Sequence, residues 1–253
     1  MEDLAGKSII VTGGGSGMGR QTALMLGRYR AHVTVADLNG DSAKQTADEI
    51  TAGGGRAIGL AVDVSDEAQV KDMVAKAVEA FGGLDAAANC AGRSSHSLMI
   101  SELSLAQWNN VIGINLTGAF LCLKYQAAAM IAGGRRGSIV VISSTAAWKA
   151  FPTVSEYAAS KAGIGGLVRS AAAEFGNDGI RVNALLPGTT DTPMHRAFMA
   201  KGTVPEADVV SQQLIKRVAD ADELAAAIVW LLSDQASFVT GIEMPVDGGG
   251  TAI

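Results

Sequence analysis

Thr12-Gly13-Gly14-Gly15-Ser16-Gly17-Met18-Gly19 stands between a short β-branched apolar run, residues 8–11, and an amphipathic stretch, residues 17–29. That position decides its reading. A glycine-rich turn between a first strand and a helix allows a tight reversal, a close backbone approach to an anion, and close helix–strand packing. The helix N-terminus then offers unpaired N–H groups and a positive dipole end to a diphosphate. Loops collect glycine for other reasons too, but in this setting the turn predicts dinucleotide binding through Gly13, Ser16, Gly17, Met18 and Gly19.

Outward from the turn, short apolar runs alternate with longer amphipathic ones. Strands are predicted at residues 32–36, 57–62, 84–89, 139–142, 181–186 and 242–246, and helices at 40–52, 66–81, 105–131, 153–175 and 221–232. Strict β–α alternation implies a parallel sheet with right-handed crossovers, covered by helices on both faces. Strands buried on both faces are continuously apolar, as 139–142 is. The expected fold class is therefore α/β, a doubly wound parallel sheet in three αβα layers. Residues 1–253 form a single domain in this reading. The one long irregular insert, 189–210, carries Pro193, Gly202 and Pro205 and is expected to be a substrate-binding loop.

The composition is consistent with this. Of 253 residues, 48% are hydrophobic and 18% charged, enough apolar surface for a large core. A net charge of −5 gives nucleic acid or an anionic membrane no electrostatic reason to bind. Cys90 and Cys122 are too few and too far apart for a disulfide framework, and read as small buried hydrophobes. Lys124 interrupts the best apolar run, at 119–131, and the acidic N-terminus is unlike a secretory signal. A cytoplasmic protein with a small-molecule substrate, and with no nucleic-acid or membrane partner, is expected.

Asp37 ends the second predicted strand, eighteen residues beyond Gly19. A carboxylate there accepts hydrogen bonds from the adenosine ribose hydroxyls of NAD and repels the 2′-phosphate of NADP. No arginine or lysine compensates, since Ser16 and Leu38 occupy the adjacent positions. The plainer alternative is a helix N-cap.

Farther along, Ser144 precedes Tyr157 by thirteen residues, and Lys161 follows four later, on the same helix face as Tyr157. Alone, that pair reads better as a half-exposed aromatic and a solvated charge. Taken with Asp63-Val64, Asn89-Cys90-Ala91-Gly92, Asn115, Pro187-Gly188, Thr192 and Asp247-Gly248-Gly249, the chain resembles the short-chain dehydrogenase/reductase family over essentially its whole length. Cys90 departs from the family's more common asparagine.

The resemblance implies a Rossmann fold and a hydride exchange between NAD and a secondary alcohol or ketone. Tyr157 would act as general acid/base, Lys161 would lower its pKa and hold the nicotinamide ribose, and Ser144 would hold the substrate oxygen. Asn115 would support a proton relay. Asp63 and Val64 would line the adenine pocket, Thr192 would meet the carboxamide, and Asn89, Ala91, Gly92, Pro187, Gly188 and Thr190 would complete the cofactor site. The resemblance also implies a homotetramer, consistent with the many small residues of the helix carrying Tyr157 and with the apolar tail Ala252-Ile253.

On the substrate side, Ser94, His96, Thr145, Trp148, Phe151, Met194 and Phe198 follow the predicted catalytic strands and make a mainly apolar wall. An apolar cyclic or aromatic alcohol suits such a wall. His96 and His195 are candidates for substrate contact, against the plainer reading of solvated loop histidines. Two other functions stay open: an NADPH-linked ketone or ketoacyl reductase, and a non-catalytic nucleotide sensor or scaffold.

Overall fold

The computed structural model describes residues 1–200 and 205–253, so part of the 189–210 insert, residues 201–204, lies outside the described residues. Seven parallel strands form one sheet: β1 Ser8–Thr12, β2 His32–Asp37, β3 Arg56–Ala61, β4 Ala86–Asn89, β5 Gly137–Ile142, β6 Ile180–Pro187 and β7 Glu243–Val246. Their order across the sheet is β3-β2-β1-β4-β5-β6-β7. The chain winds outward from β1 through β2 to β3, then crosses back and winds the other way from β4. Loops leaving β1 and β4 therefore diverge, and a crevice opens between them at the carboxyl edge of the sheet.

Helices α1 Gly17–Arg28, α2 Gly40–Ala52, α3 Glu67–Phe81, α4 Leu105–Ile112, α5 Gly118–Ala132, α6 Ser155–Phe175, α7 Pro193–Met199, α8 Glu206–Ser211 and α9 Ala221–Leu232 complete the fold. Side chains of α1, α2 and α9 pack with Ile9, Val11, Val33 and Val140 on one face. Those of α3, α5 and α6 pack with Ile10, Ala87, Ile139 and Val141 on the other. Alternate residues of one strand thus face opposite cores, and every residue of β1 is buried.

Two expectations change. The helix predicted over residues 105–131 is divided: a single π turn, Gly113–Thr117, separates α4 from α5. A π turn carries one residue more than an α turn and redirects the side chains around it, often at a functional site. Asn115 lies within it. The continuous helical stretch Leu105–Ala132 is also long and apolar enough to cross a membrane, despite Lys124. Half of its most apolar window is buried inside the protein, where Leu121, Cys122, Leu123, Ala127 and Met130 belong to the core. The 189–210 insert contains two short helices, α7 and α8, joined through residues that are not described.

Candidate active site

A cleft of about 350 Å³ lies at the switch in strand order, lined by Gly13, Ser16, Gly17, Met18 and Gly19 from the glycine turn, Asp37 from β2, Asp63 and Val64 after β3, and Ala91 and Gly92 after β4. Gly13 has φ +66°, and a Cβ there would stand 2.8 Å from the Ala91 backbone nitrogen. A methyl group at Gly19 would overlap the Gly13 carbonyl. The turn can therefore close on the neighbouring loop only with glycine at both positions.

Ser16 N-caps α1 without a side-chain capping bond, and no acidic residue lies in the first turn. The opening N–H groups keep their capacity for an anion, which fits a dinucleotide diphosphate.

The Asp37 Oδ2 accepts the Gly15 N–H at 2.9 Å and Oδ1 the Asn39 N–H at 3.0 Å. The helix-cap alternative fails, because Asn39 is the N-cap of α2 and its side chain accepts from the Ser42 N–H at 3.1 Å. Two backbone bonds leave further lone pairs on the Asp37 carboxylate, which borders the cleft. Asn89 does not border it. Its amide is spent on a reciprocal pair with Gln126 at 2.9 and 2.8 Å, both side chains buried. Asn89 braces the wall behind the cleft from within the core.

The cleft continues into a space of about 260 Å³ that brings together Ser144, Tyr157, Lys161, Pro187, Gly188, Thr190 and Thr192 with Ser94, Thr145, Met194, His195 and Phe198. Met18, Cys90, Gly92, Thr192 and Met194 line both spaces. Ser144, just past the end of β5, accepts the Ala146 N–H at 3.1 Å and stands close enough to the Tyr157 phenol to lower its pKa. Lys161 is 4% exposed, and its Nζ donates to the Ile142 carbonyl at 2.8 Å. The same Nζ lies 5.7 Å from the centre of the Tyr157 ring. Burial brings the Lys161 ammonium down to about 8. It also raises the Tyr157 phenol above its ordinary value, against a smaller lowering by the Ser144 hydroxyl. Either charge alone is penalised there, and the pair would relieve both penalties.

Asn115, 2% exposed, accepts the Arg93 N–H at 2.9 Å and donates to the Arg93 carbonyl and the Ser160 hydroxyl, each at 3.1 Å. Ser160 in turn donates to the Tyr157 carbonyl at 2.7 Å. Asn115 thus ties the exit of β4 to the helix carrying Tyr157. Thr192 N-caps α7, its hydroxyl accepting the His195 N–H at 3.1 Å.

Tyr157, Thr145 and Phe198 also border a larger cavity of about 590 Å³, with Phe151, Val154 and Val209 among its apolar walls. Two expected substrate residues lie elsewhere. The Trp148 ring is 52% exposed and its Nε1–H donates to Glu243 at 3.1 Å, away from the cavity. His96 is held by buried Glu156, which accepts its N–H at 2.8 Å, and it borders none of these spaces. Val209, from the 189–210 insert, and Lys149 also line the large cavity, as does Gln213, which the sequence did not point to. No cluster of His, Cys, Asp and Glu suited to a metal ion occurs among the described residues.

A family profile described as enoyl-(acyl carrier protein) reductase matches residues 13–251. The 2,5-dichloro-2,5-cyclohexadiene-1,4-diol dehydrogenase of Sphingobium indicum is 46% identical over 253 residues, all of both chains. The chain belongs to the short-chain dehydrogenase/reductase family. A cyclohexanol dehydrogenase from an Acinetobacter species is 37% identical, over 97% of this chain and 95% of the relative. The crystal structure of levodione reductase superposes with a TM-score of 0.94 at 34% identity, covering 98% of this chain and 99% of that one.

As a short-chain dehydrogenase/reductase related to named dehydrogenases of cyclic alcohols, the protein is an alcohol oxidoreductase using a nicotinamide cofactor. Its glycine turn provides a direct check. Gly19→Ala should weaken NADH and NADPH binding about tenfold or more, because the turn must shift to admit the methyl group. Fluorescence titration of the bound nicotinamide reads this, and unchanged affinity would remove the turn from the binding site.

Proposed function

We propose that this enzyme interconverts an apolar cyclic secondary alcohol and its ketone with NAD(H), with Tyr157 as general acid/base. The observation that carries the reading is the Ser144–Tyr157–Lys161 cluster in the smaller space, from which Tyr157 also borders the apolar cavity. When bound, the nicotinamide supplies the hydride acceptor or donor. The chain supplies the rest. Tyr157 gives its proton to the carbonyl oxygen or takes one from the alcohol. Lys161 stabilises the phenolate, and Ser144 holds the reacting oxygen and its developing charge. The cyclic alcohols named for the relatives support the ring-shaped substrate.

NAD is favoured over NADP by Asp37, whose carboxylate would meet a 2′-phosphate as a like charge. An NADPH-linked reductase would need a cation beside Asp37, where this chain has exposed Leu38 in the cleft wall. A non-catalytic sensor is disfavoured by the retention of Ser144, Tyr157 and Lys161. The proposed assembly is a homotetramer in the cytoplasm. Exposed Leu105 and Phe120, on α4 and α5, and an exposed small-residue face of α6 at Ala159, Ala162 and Gly166 offer close helix contacts.

Three outcomes test the reading. Tyr157→Phe abolishes turnover of a secondary alcohol panel followed at 340 nm while NADH still binds; retained turnover removes Tyr157 from proton transfer. Ketone reduction falls as pH rises through about 8, because Lys161 is charged below that value and above it loses the charge that stabilises the phenolate left when Tyr157 donates its proton. A flat profile from pH 7 to 9.5 would contradict it. Asp37→Ala narrows the kcat/KM preference for NAD⁺ over NADP⁺ by about tenfold, and an unchanged ratio would mean the carboxylate does not meet the ribose.

A further inference from the structure

The 590 Å³ cavity beside Tyr157 is larger than a monofunctional six-membered ring fills, and its walls are of two kinds. Ala146, Phe151, Pro152, Val154 and Phe198 are apolar, whereas Lys149, Gln213 and Asp247 gather around the C-terminal turn that contains Gly250. A polar region in an otherwise apolar pocket fixes the orientation of a ligand through the groups that still have bonds to give.

Gln213 has little left to give, and Asp247 can only accept. The Gln213 amide accepts from the Thr189 N–H at 3.1 Å and donates to the Ile215 and Arg217 carbonyls at 3.2 and 2.8 Å. Asp247 accepts the Gly249 and Thr251 N–H groups at 2.9 and 2.7 Å, one on each oxygen. Lys149 differs. Its Nζ donates once, to the Gly250 carbonyl at 2.6 Å, and forms no ion pair among the described residues. An ammonium has three donors, so two remain without a protein partner on a residue that lines the cavity.

The backbone of Lys149 is also well placed relative to the reacting group. Its N–H donates to the Thr145 carbonyl at 2.9 Å, on the short 3-10 turn that leaves Ser144. The donor and the serine that would hold the reacting oxygen therefore share one turn of backbone.

We propose that Lys149 binds a second, uncharged oxygen function of the substrate, a hydroxyl or keto group remote from the reacting carbon. This rests on the proposed cyclic-alcohol activity and narrows it to bifunctional rings. The uncharged class follows from Asp247, a buried carboxylate on the same cavity wall, which would repel a substrate carboxylate but not a neutral acceptor.

The test compares cyclohexane-1,4-diol with 4-methylcyclohexanol, in which a methyl group of similar size replaces the second hydroxyl. Binding to the NAD-loaded enzyme is measured by calorimetry, and turnover at 340 nm in parallel. The wild type should favour the diol in both affinity and kcat/KM by about tenfold, as expected for a hydrogen bond to a charged donor. Lys149→Met should bring the ratio close to one through KM, and Lys149→Arg, which keeps donors, should restore part of it. Equal handling of the two probes by the wild type, or a ratio untouched by Lys149→Met, overturns the assignment. So does 4-hydroxycyclohexanecarboxylate binding more tightly than the diol in a Lys149-dependent way. A Lys149-dependent preference in binding without turnover of either probe would sustain the subsite and defeat the dehydrogenase reading. Turnover of both without preference would do the reverse.

Discussion

The hydrogen bond from the Lys161 ammonium to the Ile142 carbonyl joins α6, the helix of Tyr157, to the carboxyl end of β5. A second bond, from the Ser143 hydroxyl to the Lys161 carbonyl at 2.9 Å, fixes the same register from the other side. Removing an ammonium from water costs several kcal/mol unless polar partners replace the lost hydration. A strand-end carbonyl can do so only if the strand stops there and α6 crosses directly over it. The parallel sheet meets the first condition, because all its strands point their carboxyl ends to one edge. The tie then determines where Tyr157 stands, one turn earlier on α6, beside the Ser144 hydroxyl. Burial lowers Lys161 to about 8 and raises Tyr157, so the arrangement favours charging the two together over charging either one.

The nucleotide side depends on the same edge. Since the chain reverses its winding direction between β1 and β4, the glycine turn after β1 and the Ala91-Gly92 segment after β4 face each other across the crevice. Gly13 allows them to approach within contact distance. A dinucleotide lying in that crevice would extend from Asp37 toward Lys161, because Met18, Gly92 and Thr192 line both the cleft and the space around Tyr157.

The sheet was legible in the sequence because its signals are local. Continuous apolar runs mark strands buried on both faces, and the helical period between them marks the crossovers. The glycine turn and Asp37 were legible for the same reason, whereas spacing put Tyr157 and Lys161 on one helix face and only the family resemblance gave them a role. What stayed hidden depends on partners distant in sequence. Asn89 looks like a cleft residue until Gln126, 37 positions later, takes both ends of its amide. Trp148 and His96 sit in the expected segments, yet Glu243 and Glu156 turn them away from the substrate side. The π turn at Asn115 leaves little mark in a helical pattern, because it shifts one hydrogen-bonding step without changing which residues are apolar. Lys149 lies in the segment expected on the substrate side, but its tie to the Gly250 carbonyl joins residues 101 positions apart.

Glu156 shows how far the polar scaffolding extends from α6. The carboxylate is fully buried next to Tyr157, and accepts the Ser95 hydroxyl at 2.9 Å as well as the His96 N–H. Burial acts to raise its pKa, but the bonds from His96 and Ser95 outweigh this and hold it below the ordinary carboxylate value. Three buried polar residues of one helix therefore reach different parts of the carboxyl edge: Glu156 the segment after β4, Ser160 the π turn through Asn115, and Lys161 the end of β5. Apolar contacts would bury α6 about as well, but they are non-directional and tolerate small slides of a helix on its sheet. Directional bonds to three separate elements do not. The polar face of α6 is better understood as a positioning device than as a contribution to stability, since buried polar groups gain little over apolar ones of the same shape.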